Sequence, residues 1–393
     1  MIERLLRLDW RFFPSHHADA RLNPRKEIWR NTQEDQSSLI AQPSFVDHAD
    51  RVWVRVGDVT YRDVSLQEIE REVAATPPST GTIDITTMDI EEVAKLLAPR
   101  MEVGGVEFQL AVADQFEFAR YVQQVAIENK ERDAHGISGA PSSGAPSSGA
   151  HDTSGVGQTQ QAIIVDGVSW ININSLAATW PYNMHGWGGT TNVPWCTCFK
   201  MINDHTCITS AHCQHDGVSW ITRHPITFQA GSSSPRPQIP SGCYSRTVPG
   251  GWNGSNAQFD YAVIAFRGLG GAWCTTSSYN TGWFGWNTVQ NGETAIPTWV
   301  SGYPFNQLPP SSTYPTLSYD FRTATYQPSS ANGLIYHRCD TEGGSSGTAI
   351  IKNWPSSDYR ALGVHRGGNG GGENLGVRMT SALASWVGTF AGY

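Results

Sequence analysis

From Ile163 onward the chain is a succession of short β-branched and aromatic runs, closely spaced and divided by Gly, Asn, Ser and Pro turn signals. That pattern reads as an all-β barrel or sandwich. Only Thr380 to Phe390 is convincingly helical in this half. The region also holds 12 of the 15 Trp, ample apolar volume for a large core.

The N-terminal part differs in kind. At 393 residues the chain exceeds what one core is expected to hold. Residues 1–136 carry 16 Lys+Arg against 24 Asp+Glu, whereas residues 152–393 carry 11 of each. The whole net charge of −8 therefore belongs to the N-terminal part, and with no basic stripe in either half, nucleic acid is not an expected partner. Residues 43–133 read as a small α+β domain. Val52 to Val56 alternates like a strand, and Ser65-Leu66-Gln67-Glu68 opens a helix with a capping-box pattern. Asp89 to Leu97 and Gln115 to Glu128 read as two further helices, and Val103 to Val112 as a strand. Residues 137–162 contain a duplicated Gly-Ala-Pro-Ser-Ser unit, at Gly139 to Ser143 and Gly144 to Ser148. Such a unit cannot pack a core and behaves as a flexible tether. The expected organisation is thus 1–136 as an acidic propeptide or regulatory domain, 137–162 as a linker with the maturation site, and 163–393 as the main domain.

All seven Cys fall between Cys196 and Cys339, which suits an oxidising compartment. The residues after Met1 have no uninterrupted apolar core of signal-peptide length, and no run of about twenty apolar residues occurs anywhere. No membrane span is expected. A secreted protein of this kind would use an unusual export route or start upstream of Met1.

The stretch that carries chemistry is Cys339-Asp340-Thr341-Glu342-Gly343-Gly344-Ser345-Ser346-Gly347-Thr348, followed by the apolar Ala349-Ile350-Ile351. It reads as a tight loop feeding a buried strand, able to present the hydroxyl of Ser346, with Ser345 as the alternative. Gly344 lacks a Cβ, so its N–H and that of Ser346 can face one spot where an oxyanion would form. A serine is a poor nucleophile without a base. Upstream, Thr209-Ser210-Ala211-His212-Cys213 ends a β-leaning run, and Phe259-Asp260-Tyr261 heads an apolar strand. The order His212, Asp260, Ser346 is that of chymotrypsin-type triads. Taken singly, each residue has a plainer role, a structural His or a turn-capping Asp; taken together and in order, they point to acyl transfer. Cys196, Cys198, His205, Cys207, His212, Cys213 and His215 are dense in potential ligands, but their spacings are not those of paired zinc knuckles, so no metal is expected there.

Thr-Ser-Ala-His-Cys resembles the histidine motif of the trypsin/chymotrypsin-like serine peptidases. Val248-Pro249-Gly250-Gly251-Trp252, Ser301-Gly302-Tyr303-Pro304, Asp340-Thr341-x-Gly343-Gly344-x-Ser346-Gly347 and Gly363-Val364-His365 resemble the V8-type bacterial glutamyl endopeptidases within that clan, over roughly residues 165–393. The resemblance implies a chymotrypsin-like double β-barrel with a C-terminal helix, preceded by a small α+β pro-domain. It places His212 and Asp260 in the first barrel and Ser346 in the second. It implies a Cys196–Cys213 disulfide, leaving five Cys of open pairing, at least one of them unpaired or intermolecular. It implies no cofactor, although structural calcium on backbone oxygens is compatible with the family.

Specificity rests on three residues. Asp340 stands six before Ser346, where Asp selects basic side chains in trypsin-like enzymes. Thr341 and His365 match the Thr and Gly-x-His by which glutamyl endopeptidases hold a substrate carboxylate, with Arg366 adding positive potential. The expectation is a secreted, monomeric endopeptidase that cleaves polypeptides after Glu and less well after Asp, with its own N-terminal domain as intramolecular inhibitor or chaperone. The competing readings are a trypsin-like or small-residue-specific peptidase and a catalytically silent binding protein on the same fold.

Overall fold

A computed structural model describes residues 44–47, 50–75, 83–134, 171–178, 181–190, 193–267 apart from 231, 233, 234 and 236, then 274, 282–287, 296–304, 318–325, 333–352, 359–368 and 373–391. The N-terminal part runs Ser44–Val46 (β1), Val52–Asp58 (β2), Leu66–Ala75 (α1), Ile90–Leu97 (α2), Pro99–Val103 (β3), Val106–Leu110 (β4) and Val112–Ala134 (α3). Ser65 caps α1 by accepting the Glu68 amide at 3.2 Å, and Asp89 caps α2 by accepting the Glu91 amide at 2.7 Å, as the capping patterns require. The single strand expected from Val103 to Val112 is instead the second arm of a β3–β4 hairpin. Gly104 and Gly105, at φ +60° and +84°, supply the left-handed pair that a two-residue turn needs. The linker expected at 137–162 lies outside the described residues.

After a short strand, Ile171–Asn172 (β5), the first β-rich unit comprises His185–Thr190 (β6), Val193–Lys200 (β7), Thr206–Thr209 (β8), Ile226–Phe228 (β9), Ser245–Pro249 (β10) and Ala262–Ala265 (β11). The second comprises Gly285–Trp286 (β12), Ile296–Gly302 (β13), Ser318–Thr325 (β14), Leu334–His337 (β15), Ala349–Lys352 (β16), Arg360–Gly368 (β17), Asn374–Arg378 (β18) and the helix Ser381–Ala391 (α4). The all-β architecture with a C-terminal helix is the one expected. In the second unit, β16-β13-β14-β15-β18-β17 closes on itself through the β16–β17 and β17–β18 pairings, giving a six-stranded barrel with no free edge. β5 belongs to this sheet, pairing with β14.

The first unit does not close in the same way. Its strands run β10-β11-β8-β7-β6-β9, and the outer edge of β10 is taken by β3 of the N-terminal hairpin, producing one ten-stranded sheet with β1, β2 and β4 beyond. Residues 44–134 consequently share a core with the rest. Trp53, Leu97, Phe108 and Phe118 pack in one cluster with Trp252, Phe259, Trp386 and Phe390.

Two disulfides are present, Cys196–Cys213 and Cys243–Cys274. Cys198, Cys207 and Cys339 are buried thiols. Among the described residues no helix is long and apolar enough to cross a membrane.

Candidate active site

His212 sits in a 3₁₀ turn, Ala211–Cys213, directly after β8, and Asp260 ends another, Ala257–Phe259, before β11. Because β8 and β11 are neighbours with Thr209 opposite Ala262, both side chains emerge at the same end of the sheet. His212 Nδ1 lies 2.7 Å from Asp260 Oδ2, and the His212 amide donates to Asp260 Oδ1 at 2.9 Å. The carboxylate thus fixes both the ring and its backbone, which directs Nε2 outward. Burial alone would raise the Asp260 carboxyl, but His212, Arg366 and their hydrogen bonds outweigh it and hold the group below the usual carboxylate range.

Ser346 lies in the loop between β15 and β16. Gly344 and Gly347 have φ of +93° and +86°, conformations open to glycine, and a Cβ on Gly347 would stand 2.1 Å from Thr209 Oγ1 and 2.3 Å from the Thr197 carbonyl. The loop is therefore pressed against the first sheet. Thr197 on β7 holds it there: its amide donates to the Ser346 carbonyl at 3.0 Å and its hydroxyl to the Gly344 carbonyl at 2.8 Å. The Ser346 amide has no hydrogen-bond partner among the described residues, which leaves it available as an oxyanion donor beside Gly344.

Ser346 Oγ, however, donates to the carbonyl of Arg366 at 3.0 Å, and the buried His212 Nε2 has no partner. The structure joins His212 to Asp260 and brings Ser346 beside them through Arg366, without a Ser346–His212 hydrogen bond. Ser346 is 4% and His212 1% exposed. Helix α1 packs against the turn bearing His212, against β7 and against β17, so it spans both halves of the site. Its Ile69 is buried with Trp195, Ile221 and the Cys196–Cys213 disulfide.

The residues expected to set specificity are all buried. Thr341 lies in the loop leading to Ser346, and its hydroxyl has no partner among the described residues. His365 is on β17, tied by its backbone to Thr348 and by its carbonyl to Gly347 and Ser210. Its Nδ1 is 3.0 Å from Nε2 of His337 on β15. Burial, then the proximity of His337 and His212, pushes His365 well below its ordinary range, and burial pushes His337 down to about 3, so both rings are neutral. The Arg366 side chain is bonded to Asp260, its Nε donating to Oδ2 at 3.0 Å. His337 and this role of Arg366 had no sequence signal, since both depend on how the second barrel closes. Asp340 is buried as well, at 5% exposure.

Among the described residues, one group gathers potential metal donors, Cys196, His212 and Cys213. Its two sulfurs are bonded to each other, and Nδ1 of the histidine is engaged by Asp260, so the donor set does not fit an ion.

No family model matches the chain. It is similar to bacterial peptidases. It is 30% identical over 202 residues to a Bacillus subtilis protein named extracellular metalloprotease, covering 49% of this chain and 56% of that one. It is 26% identical over 192 residues to a glutamyl endopeptidase of Bacillus licheniformis, covering 47% and 55%. The chain thus spans just over half the length of these curated relatives. Among solved structures it resembles a Glu endopeptidase in complex with MPD, at 18% identity and a TM-score of 0.46, over 59% of this chain and all of that one. It also resembles the protease Anisep from Arthrobacter nicotinovorans, at 20% identity and a TM-score of 0.38, over 53% and 94%. The resemblance carried by the sequence motifs leads to the same group of proteins.

Proposed function

We propose that the chain is a secreted serine endopeptidase that cleaves after Glu, and less well after Asp, and is held inactive by its own helix α1. The observation that carries this reading is the His212–Asp260 pair at 2.7 Å with Ser346 alongside on a glycine-shaped loop. In the working site, Ser346 Oγ turns from the Arg366 carbonyl to His212 Nε2. It gives up its proton there as it bonds to the substrate carbonyl carbon, and the displaced electron pair settles on the carbonyl oxygen facing the Gly344 and Ser346 amides. His212 passes the proton to the departing amine as the C–N bond breaks, leaving an acyl group on Ser346. Water then gives a proton to His212 as its oxygen bonds to the acyl carbon, the bond from that carbon to Ser346 Oγ breaks to release the acid, and His212 hands the proton to Ser346 Oγ.

The preference for Glu is supported by Thr341 and His365. A buried hydroxyl without a partner and a neutral imidazole can both donate to a carboxylate, and a relative named glutamyl endopeptidase adds weight. Secretion is supported by the two disulfides and the name of the Bacillus subtilis relative. Inhibition by α1 is supported by its packing on both sides of the site and the near-total burial of Ser346 and His212. The substrates are polypeptides, and the chemistry as written calls for no cofactor.

The test is a peptide library digested by the activated protein, with Ser346→Ala as control. Cuts after Glu that vanish in the variant, with a raised KM in His365→Ala, are expected. Cuts after Arg or Lys would transfer the pocket to Asp340, and no cleavage with no fluorophosphonate labelling would leave a silent binding protein.

A further inference from the structure

The contact between residues 44–134 and the first β-rich unit has the character of a domain core. β3 pairs with β10 in register from Val103 opposite Ser245 to Pro99 opposite Pro249. Within that ladder Glu102, fully buried, faces Arg246, also fully buried, with Oε2 to Nε at 2.8 Å. Arg223 binds the other oxygen at 2.8 Å, and the Tyr61 hydroxyl and Gly105 amide donate to it at 2.8 and 2.9 Å. Arg246 is in turn packed on the rings of Tyr61 and Trp220. Both carboxylate oxygens of Glu102 are thus engaged, and it is the anion that both cations share.

Other groups repeat the pattern. Trp386 Nε1 donates to the Leu97 carbonyl at 3.1 Å, Trp220 Nε1 to Glu107 at 3.0 Å and the Gly251 amide to the Leu96 carbonyl at 2.7 Å. A Cβ on Gly250 would meet the Lys95 carbonyl at 2.5 Å, so the backbones are in direct contact. Taking residues 44–134 away would remove the anion of Arg246, uncover the cluster of Trp252, Phe259, Trp386 and Phe390, and leave β10 as an open strand edge. A segment built to depart would leave a surface able to meet water. This one would not.

We propose that residues 44–134 are a permanent second chain of the mature particle: cutting the linker at 137–162 does not release them, and Glu102 is the anchor. The cut itself is an ordinary hydrolysis, one water splitting one C–N bond into a carboxylate and an ammonium. This inference does not rest on the peptidase reading.

The experiment uses the full chain carrying Ser346→Ala, which prevents self-cleavage, and a site for an added specific peptidase within Gly139 to Ser148. After cutting, native mass spectrometry and size-exclusion chromatography are expected to show both pieces in one 1:1 particle that survives 100-fold dilution overnight. Folded C-terminal piece eluting alone would overturn the proposal. Glu102→Gln, which keeps the shape and removes the charge, is expected to speed separation of the cut pieces at least 10-fold. An unchanged rate would overturn the anchor role. If Glu102→Gln does not fold, Arg223→Lys, which keeps the charge but shortens the contact, is measured for the same acceleration.

Discussion

Ser346 gives its hydrogen bond to the backbone carbonyl of Arg366, while the Arg366 side chain holds Asp260. Arg366 thereby touches both Ser346 and Asp260, and Ser346 rests against it instead of against His212. In the proposed reading this arrangement is the resting one, and α1, which packs on the turn bearing His212 and on β17, is the element that would keep it so.

If α1 holds the site shut, loosening its seat should expose Ser346. Ile69→Asp puts a charge among Trp195, Ile221 and the Cys196–Cys213 disulfide. Fluorophosphonate labelling of Ser346 in the full chain is expected to accelerate at least 10-fold. An unchanged rate in a folded variant would remove α1 from any inhibitory role.

Asp260 serves the site and the fold together. Asp260→Asn is expected to lower kcat about 10⁴-fold by losing control of the His212 tautomer. It also leaves Arg366 buried beside a neutral amide, so chemical denaturation should show a loss of about 3–5 kcal/mol. A fully active or equally stable variant would contradict the first or second role.

Gly347→Ala tests the loop. The new methyl would collide with Thr209 and the Thr197 carbonyl at a φ of +86°. The backbone conformation alone costs about 1–3 kcal/mol. A lowered Tm with loss of activity is expected; an unaltered Tm would mean that the loop can move away from the first sheet.

The buried histidines predict a response to acid. Burial pushes His185 to about 4 and His215 and His337 to about 3, so each is neutral in the fold and would gain a proton on unfolding below its ordinary value. The unfolded state binds more protons between the two values, so their contribution is complete above about pH 6.5 and is lost progressively as pH falls from there through the folded values of about 3 to 4. Each group contributes a slope of about 1.4 kcal/mol per pH unit. Urea unfolding at pH 7.5 and 5.5 should show a clear drop at the lower pH, and equal midpoints would refute it.

Much of this was legible in the sequence because the signals are local. Short runs with turn residues between them gave the strands, Ser65 and Asp89 marked helix starts, and the surroundings of His212, Asp260 and Ser346 placed each at a strand end. What escaped depends on contacts between distant segments. Composition changes sharply near residue 137, yet the sheet crosses that divide, because the edge of β10 is completed by β3 and nothing in either strand names the other. The His337–His365 contact arises from β15, β18 and β17 lying side by side, and the direction of Arg366 from an irregularity in β17 between His365 and Gly367. Gly104-Gly105 was a readable turn signal inside the run taken as one strand.

Thr197 carries a consequence for how such a protein can change over time. By gripping both Gly344 and Ser346 from the opposite sheet, and by accepting the Tyr303 amide as well, it makes the nucleophile loop a joint product of two halves. A hybrid assembled from the first half of one peptidase and the second half of another would inherit the serine but not its seat. The halves are therefore expected to be exchangeable between relatives only when the β7 threonine and the glycines it faces travel together.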